Sequence, residues 1–290
     1  MKPPTFDEVC TKALRLPCSP ALLPRLISVL AKEDSTAGEL ESIIQIDPAL
    51  ASSTLRLANS AYFAAASPVD SLSEAIFRLG QRETYRLAAL SLTGRWMNVE
   101  ADGYRWEPGD FCRHSLCRAI AAQHLAERTG RGDPNVAYTA GLVSTVGKLA
   151  IAFACSGCFP DIRAYQIAQN CTWLQAEHAV LGYDYTEAGT YLLQHWRFPP
   201  LLVASAQYQL HPAQAPQEMR PLLATLHAAQ YLATAMGAGV SEEGFLFEID
   251  GNFLTEYGFT SALLEEALPV VLERAFTVLN DRLSTGAVKL

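Results

Sequence analysis

The sequence predicts an all-α protein, on three observations. Apolar residues recur at three- and four-residue spacing along almost every segment, alternating runs bounded by hairpin turns are absent, and capping residues stand where the periodic stretches begin. Half of the 290 residues are hydrophobic, enough to bury one large core or two smaller lobes. The formal net charge of -8, with no lysine or arginine stripe to reverse it locally, argues against direct binding to nucleic acid. Met1-Lys2-Pro3-Pro4 opens without an apolar leader, and no apolar run approaches the length that crosses a bilayer. The expected location is the cytoplasm, with no membrane partner.

Thr36 with Glu39 has the spacing of a reciprocal capping box, in which each residue satisfies an amide of the first turn. Asp47-Pro48 then places a cap before a proline at the first helical position, and Ser71 with Glu74 repeats the box. The stretch Asn98 to Pro108 carries glycine, proline and charges between two periodic regions. It predicts a boundary between an N-terminal helical lobe, residues 1–105, and a C-terminal one, residues 106–290. Beyond it, Asp133-Pro134 and Thr172 with Gln175 mark further starts, while Gly80, Gly130, Gly182 and Gly237 are the expected stops. Phe245 to Ile249 reads as an aromatic-anchored loop or a short extended piece. The last helix, Ser261 to about Leu283, is expected to dock through Leu264, Leu268, Val271, Leu272 and Phe276, with Pro269 kinking or dividing it.

Seven cysteines without a secretory leader point to reduced thiols that pack as small hydrophobes. Cys155-Ser-Gly-Cys158 has the spacing of half a zinc site or a redox pair, but a second ligand pair is missing.

Polar groups on inward faces are the candidates for function. His114 shares a face with Cys117, Ala121 and Leu125. Ser144 falls with Ala137, Ala140 and Gly141, and Thr145 with Tyr138, Leu142 and Leu149, on what reads as one helix. Gln230 lies with Leu223, Leu226, His227 and Ala233. Each can be a satisfied core residue, since hydroxyls bond back to carbonyls four residues earlier and an amide or imidazole needs only one or two partners. They become a site only if the fold brings them together.

Leu16-Pro17, Asp47-Pro48-Ala49-Leu50, Leu55-Arg-Leu-Ala-Asn-Ser-Ala-Tyr-Phe63, Ser71-Leu-Ser-Glu-Ala-Ile76 and Leu79-Gly80 resemble the N-terminal half of the HDOD family. Arg113-His114-Ser115, Gly141-Leu-Val-Ser-Thr-Val-Gly-Lys-Leu149, Leu181-Gly182, Gly189, Trp196, Pro199 and Tyr208 match its second half in order. The resemblance implies an HD-like multi-helix fold, with an N-terminal bundle on a degenerate relative of the HD metal-dependent phosphohydrolases. At the positions matching the HD metal ligands, His114 survives, Ser144 and Thr145 replace the adjacent histidine-aspartate pair, and Gln230 replaces the later aspartate. The extra histidines of the dinuclear relatives would fall near Tyr185, Gln209 and Leu210. The implied function is that of a bacterial signal-transduction output protein, non-catalytic and without metal or cofactor. It would act through a signalling protein partner or a small nucleotide. The alternative is a residual metal-dependent phosphohydrolase or cyclic-nucleotide phosphodiesterase. Arg56, Asn59 and Tyr62 are candidates for contacting a partner or ligand, against a plain turn-organising role.

Overall fold

The computed structural model describes residues 3–14, 22–30, 36–60, 63, 69–97, 102–107, 109–238 and 249–284, and among them there is no strand. They form two compact units, one built from residues 17–95 and the other from residues 1–16 with 96–290.

The smaller unit contains α2 (Leu22–Leu30), α3 (Ala37–Ile44), α4 (Pro48–Ala58) and most of α5 (Leu72–Met97). Its starts follow the expected chemistry. Thr36 and Glu39 close the capping box on α3. Asp47 accepts from the Leu50 amide at 3.1 Å, and Ser71 accepts from that of Glu74 at 3.2 Å. Gly80 interrupts α5 at φ 76°, a left-handed conformation closed to most side chains. The stop predicted there is therefore a break between two helical runs. Ala58, Val69, Ala75 and Leu79 form a small core with Leu55, Leu57 and Phe63 packed against it.

The larger unit takes α1 (Phe6–Ala13), which the sequence reading had assigned to the N-terminal lobe. Aromatic packing decides this. The Phe6 ring lies 5.4 Å from that of Tyr183 and 6.0 Å from that of Tyr191, and the Tyr183 hydroxyl donates to the Pro4 carbonyl at 2.7 Å. The second boundary falls at Arg95/Trp96, close to the expected linker.

The central element is α6 (Asp110–Thr129), buried along most of its length. Against it pack α7 (Pro134–Val143), α13 (Arg220–Ala235) and α15 (Ser261–Ser284). A second layer is α8 (Val146–Cys155) against α1 and α11 (Tyr185–His195), with α9 (Phe159–Gln169), α10 (Trp173–Leu181), α12 (Pro200–Gln207) and α14 (Gly251–Glu256) completing the unit. Asp133 and Thr172 cap α7 and α10 as predicted, and Gly130 and Gly182 end α6 and α10. The thiols behave as packing groups: Cys10, Cys112, Cys117, Cys155 and Cys158 are buried, and burial pushes Cys155 up to about 11.

Three expectations need correction. α7 and α8 are two helices, with Ser144 as the C-cap of one and Thr145 as the N-cap of the other. The stretch Pro134–Gln169 is long and apolar enough to span a membrane by composition, but this break divides it and 78% of its most apolar window is buried inside the protein. α15 runs through Pro269 without dividing, and its buried stripe is Leu264, Ala267, Val271 and Ala275. Leu272 and Phe276, predicted to dock, are 50% and 65% exposed. Alanines face α6 because they permit close approach, and the Arg128–Glu266 and Arg274–Glu127 pairs flank that contact. Of the predicted aromatic segment only Ile249 is described, and residues 245–248 lie outside the described residues.

Candidate functional site

All four inward polar residues are buried, with His114 and Ser144 fully closed, Thr145 at 1% and Gln230 at 7% exposure. α6 presents His114 and, one turn later, Arg118 on the same face, both inside the unit. The His114 Nδ1–H donates to the Ala238 carbonyl at 3.1 Å. A carbonyl only accepts, so Nδ1 carries the proton and Nε2 presents a lone pair, for which no described residue is a partner. Burial, then the Lys148 and Arg118 charges, holds this imidazole well below its ordinary 6.5.

Two cations define the surroundings. The Lys148 ammonium, 1% exposed, stands over the rings of Tyr185, Trp106 and Tyr104 at 4.8, 5.1 and 5.8 Å. Trp106 also lies against His114, with ring centroids 5.8 Å apart. The Arg118 Nη1 donates to the Gln209 side-chain oxygen at 3.1 Å, and the Gln209 amide donates to the Ser144 carbonyl at 2.8 Å. The His227 Nδ1–H donates to the Gln209 carbonyl at 3.2 Å, while His227 Nε2 accepts from the Asp250 amide at 3.1 Å. Gln209 thus ties α6, the α7–α8 junction and α13 together.

A buried carboxylate completes the layer. Glu177 accepts from the Tyr104 hydroxyl at 2.6 Å, the Trp173 indole at 2.7 Å and the Tyr185 amide at 2.9 Å. Tyr104 and Tyr185 therefore serve both charges, with their rings toward Lys148 and their polar groups on Glu177. Sequence reasoning did not single out Arg118, Lys148, Glu177 or Trp106. Only Arg118 left a signal, its four-residue spacing from His114.

The structure gathers His114, Ser144 and Thr145 around this network, together with Tyr185 and Gln209. Gln230 is not tied to them, and its side chain donates to Thr234 on its own helix at 3.2 Å. His211 is exposed. In the smaller unit, the two ends of the Asn59 amide bond the carbonyl and the amide of Val69 at 2.8 and 2.7 Å, which ties Val69 to the end of α4. Arg56 is exposed with a 3.4 Å contact to Ser53, and Tyr62 lies outside the described residues.

Buried imidazoles make stability pH-dependent, His114 and His227 foremost, with His124 also lowered by burial. Burial is also the leading cause of the lowered His227 value. Since the folded values of His114 and His227 lie below 6.5, the unfolded chain takes up the protons first. Their contribution is complete above about pH 6.5 and is lost as pH falls toward the folded values. Urea midpoints are expected to be flat from about pH 8 to 7 and to fall below about pH 6.5, by up to about 1.4 kcal/mol per pH unit for each histidine. His114→Asn should flatten part of that slope, and an unchanged slope would contradict the assignment.

Fold and buried layer together define an all-helical protein of the HD-like class. The chain belongs to the HDOD domain family, whose sequence pattern matches residues 16–212. An HDOD domain protein of unknown function from Geobacter sulfurreducens is 21% identical and superposes with a TM-score of 0.65, over 97% of this chain and 96% of its own. A candidate signal transduction protein from Marinobacter aquaeolei is 22% identical, with a TM-score of 0.72 over 94% of this chain and 64% of its own. A candidate phosphohydrolase from Shewanella amazonensis is 27% identical, with a TM-score of 0.65 over 92% and 93%. An uncharacterised protein of Treponema pallidum is 23% identical over 214 residues, which is 73% of this chain but only 40% of that protein.

Proposed function

We propose that the protein is a non-catalytic regulatory output component of bacterial signalling, acting in the cytoplasm by binding a protein partner or a small nucleotide. The names of similar proteins divide between signal transduction and phosphohydrolysis, so the reading rests on the chemistry of the site. One observation carries it: Arg118 and Lys148 are buried beside the positions that match HD metal ligands, and both charges act on His114. A divalent ion needs several imidazole, thiolate or carboxylate donors, with negative charge to offset dehydration. One imidazole lone pair, two hydroxyls and an amide supply none, and two neighbouring cations oppose a third. The residues present do not fit the metal.

Without it, no metal-bound water supplies a nucleophile of lowered pKa at His114, and the buried Arg118 and Lys148 offer positive charge but no attacking group. A Ser144 nucleophile would need a base in contact, and the Ser144 hydroxyl has no hydrogen-bond partner among the described residues. The test is to equilibrate the purified chain with manganese or zinc, desalt it and measure bound metal. The expected result is substoichiometric metal unchanged by His114→Ala, and no hydrolysis of cyclic dinucleotides. Stoichiometric metal that His114→Ala abolishes would restore the phosphohydrolase reading.

A further inference from the structure

At the corner between α10 and α11 three ligating side chains converge. His178 stands in the last turn of α10, Asp184 is the N-cap of α11, and Glu187 lies in the first turn of α11. The His178 Nδ1 is 3.4 Å from Glu187 Oε2 and 3.8 Å from Asp184 Oδ2, and the ligand atoms of the three residues all lie within 4.8 Å of one another. Both separations exceed the roughly 2.7–2.9 Å of a charge-assisted hydrogen bond. They approach the roughly 3.3–3.4 Å between neighbouring ligands of a tetrahedral zinc whose bonds are about 2.0–2.1 Å long.

The corner is held by bonds that leave ligating atoms free. Gly182 turns the chain at φ 85°, and its amide closes α10 on the His178 carbonyl at 2.9 Å. Glu177 accepts from the Tyr185 amide at 2.9 Å, so the residue before His178 is fixed to the residue after Asp184. Asp184 is 8% exposed, and its Oδ1 takes the Thr186 and Glu187 amides and the Thr186 hydroxyl. Its Oδ2 faces His178 and accepts no hydrogen bond among the described residues. The Glu187 Oε2 takes the Asp184 amide at 2.9 Å, and the carboxylate keeps lone pairs for a further partner. Two carboxylates supply the negative charge that offsets dehydration of a divalent ion, and the imidazole favours zinc over magnesium or calcium.

We infer that His178, Asp184 and Glu187 form a divalent transition-metal site, with zinc as the ion that fits and water as its fourth ligand. His178 and Glu187 are exposed, so solvent reaches the fourth position. The ion clamps the end of α10 to the start of α11. A protonated His178 paired with the two acids would account for the cluster without a metal, and at about pH 7.5, where an ordinary imidazole is mostly neutral, zinc displaces that arrangement. This site shares no ligand with the positions around His114 and does not rest on how they are read. Three protein ligands open to solvent release their ion on desalting, so the site is measured at equilibrium.

The test is calorimetric titration of zinc, and separately of magnesium, into the full chain at about pH 7.5 with a non-thiol reductant. The expected result is one zinc per chain and no magnesium bound at the same concentrations. His178→Ala, at an exposed position, and Glu187→Gln, which keeps the capping box on α11, are each expected to fold and to weaken zinc binding at least about tenfold. Thermal melting gives a second readout: zinc should raise the wild-type melting temperature by about 2 °C or more over its effect on His178→Ala, a comparison that cancels zinc taken up by the unfolded chain. His114→Ala should bind zinc as wild type does. Failure to bind one zinc per chain, or wild-type affinity in either ligand variant, overturns the site. Equal binding of magnesium overturns it as well, since that response needs only the two acids. Zinc lost in His114→Ala but kept in His178→Ala would also overturn it, and would place the ion at the HD position instead, whereas failure of zinc to bind at all leaves the reading of His114 standing.

Discussion

Gly147→Ala is expected to destabilise the protein by about 3 kcal/mol or more, lowering the melting temperature by roughly 10 °C or preventing folding. A Cβ at this position would stand 1.8 Å from the Tyr185 carbonyl oxygen and 2.5 Å from the Gly189 amide nitrogen. Both obstacles are backbone, so no side chain can swing aside, and α8 and α11 must separate. That separation would move Lys148, the next residue, away from the Tyr185 ring 4.8 Å from its ammonium. Gly189→Ala is the control across the same crossing. Its Cβ would meet Gly147 at 3.2 and 3.4 Å, a contact that a small shift relieves, and alanine is the better helix former. The two changes should differ by at least about 2 kcal/mol in denaturant unfolding, and equal effects would show that the crossing is not set by Gly147.

The second large effect is expected at Glu177. Glu177→Leu conserves volume but leaves the Tyr104 hydroxyl, the Trp173 indole and the Tyr185 amide without their acceptor. It also removes the only carboxylate among the fully buried charges of the described residues. Each orphaned donor costs about 1–3 kcal/mol, and the total should be about 4 kcal/mol or more. Glu177→Gln keeps one acceptor oxygen but turns an N–H toward one of the three donors, so about half that loss is expected. Urea unfolding followed by tryptophan fluorescence reads both variants, since Trp173 bonds Glu177 directly. A Glu177→Leu protein as stable as wild type would remove Glu177 from any structural role.

The positions that the family resemblance matched to metal ligands turn out to border a charged core whose carboxylate comes from another helix. That arrangement explains how the interior retains polarity where three of the four matched positions are uncharged hydroxyls and an amide. Glu177 anchors the aromatic groups that enclose Lys148, and Arg118 is oriented by an amide. The two buried cations beside His114 oppose a divalent ion there.

The sequence by itself determined the helical class, the starts at Thr36, Asp133 and Thr172, and the inward faces of His114, Ser144, Thr145 and Gln230. Capping and helical periodicity act over three or four residues, so the information is local. It also held the order of landmarks that places residues 16–212 in the HDOD family. Only the tertiary structure decided that α1 docks on the larger unit, that the buried face of α15 is its alanine stripe, and that Ser144 and Thr145 stand at a helix junction. Arg118 meets Gln209 across 91 residues, and Tyr104 meets Glu177 across 73. A lone arginine, lysine or glutamate on a helix reads as a solvated surface residue, because the long-range neighbours that make its burial tolerable leave no trace in local spacing.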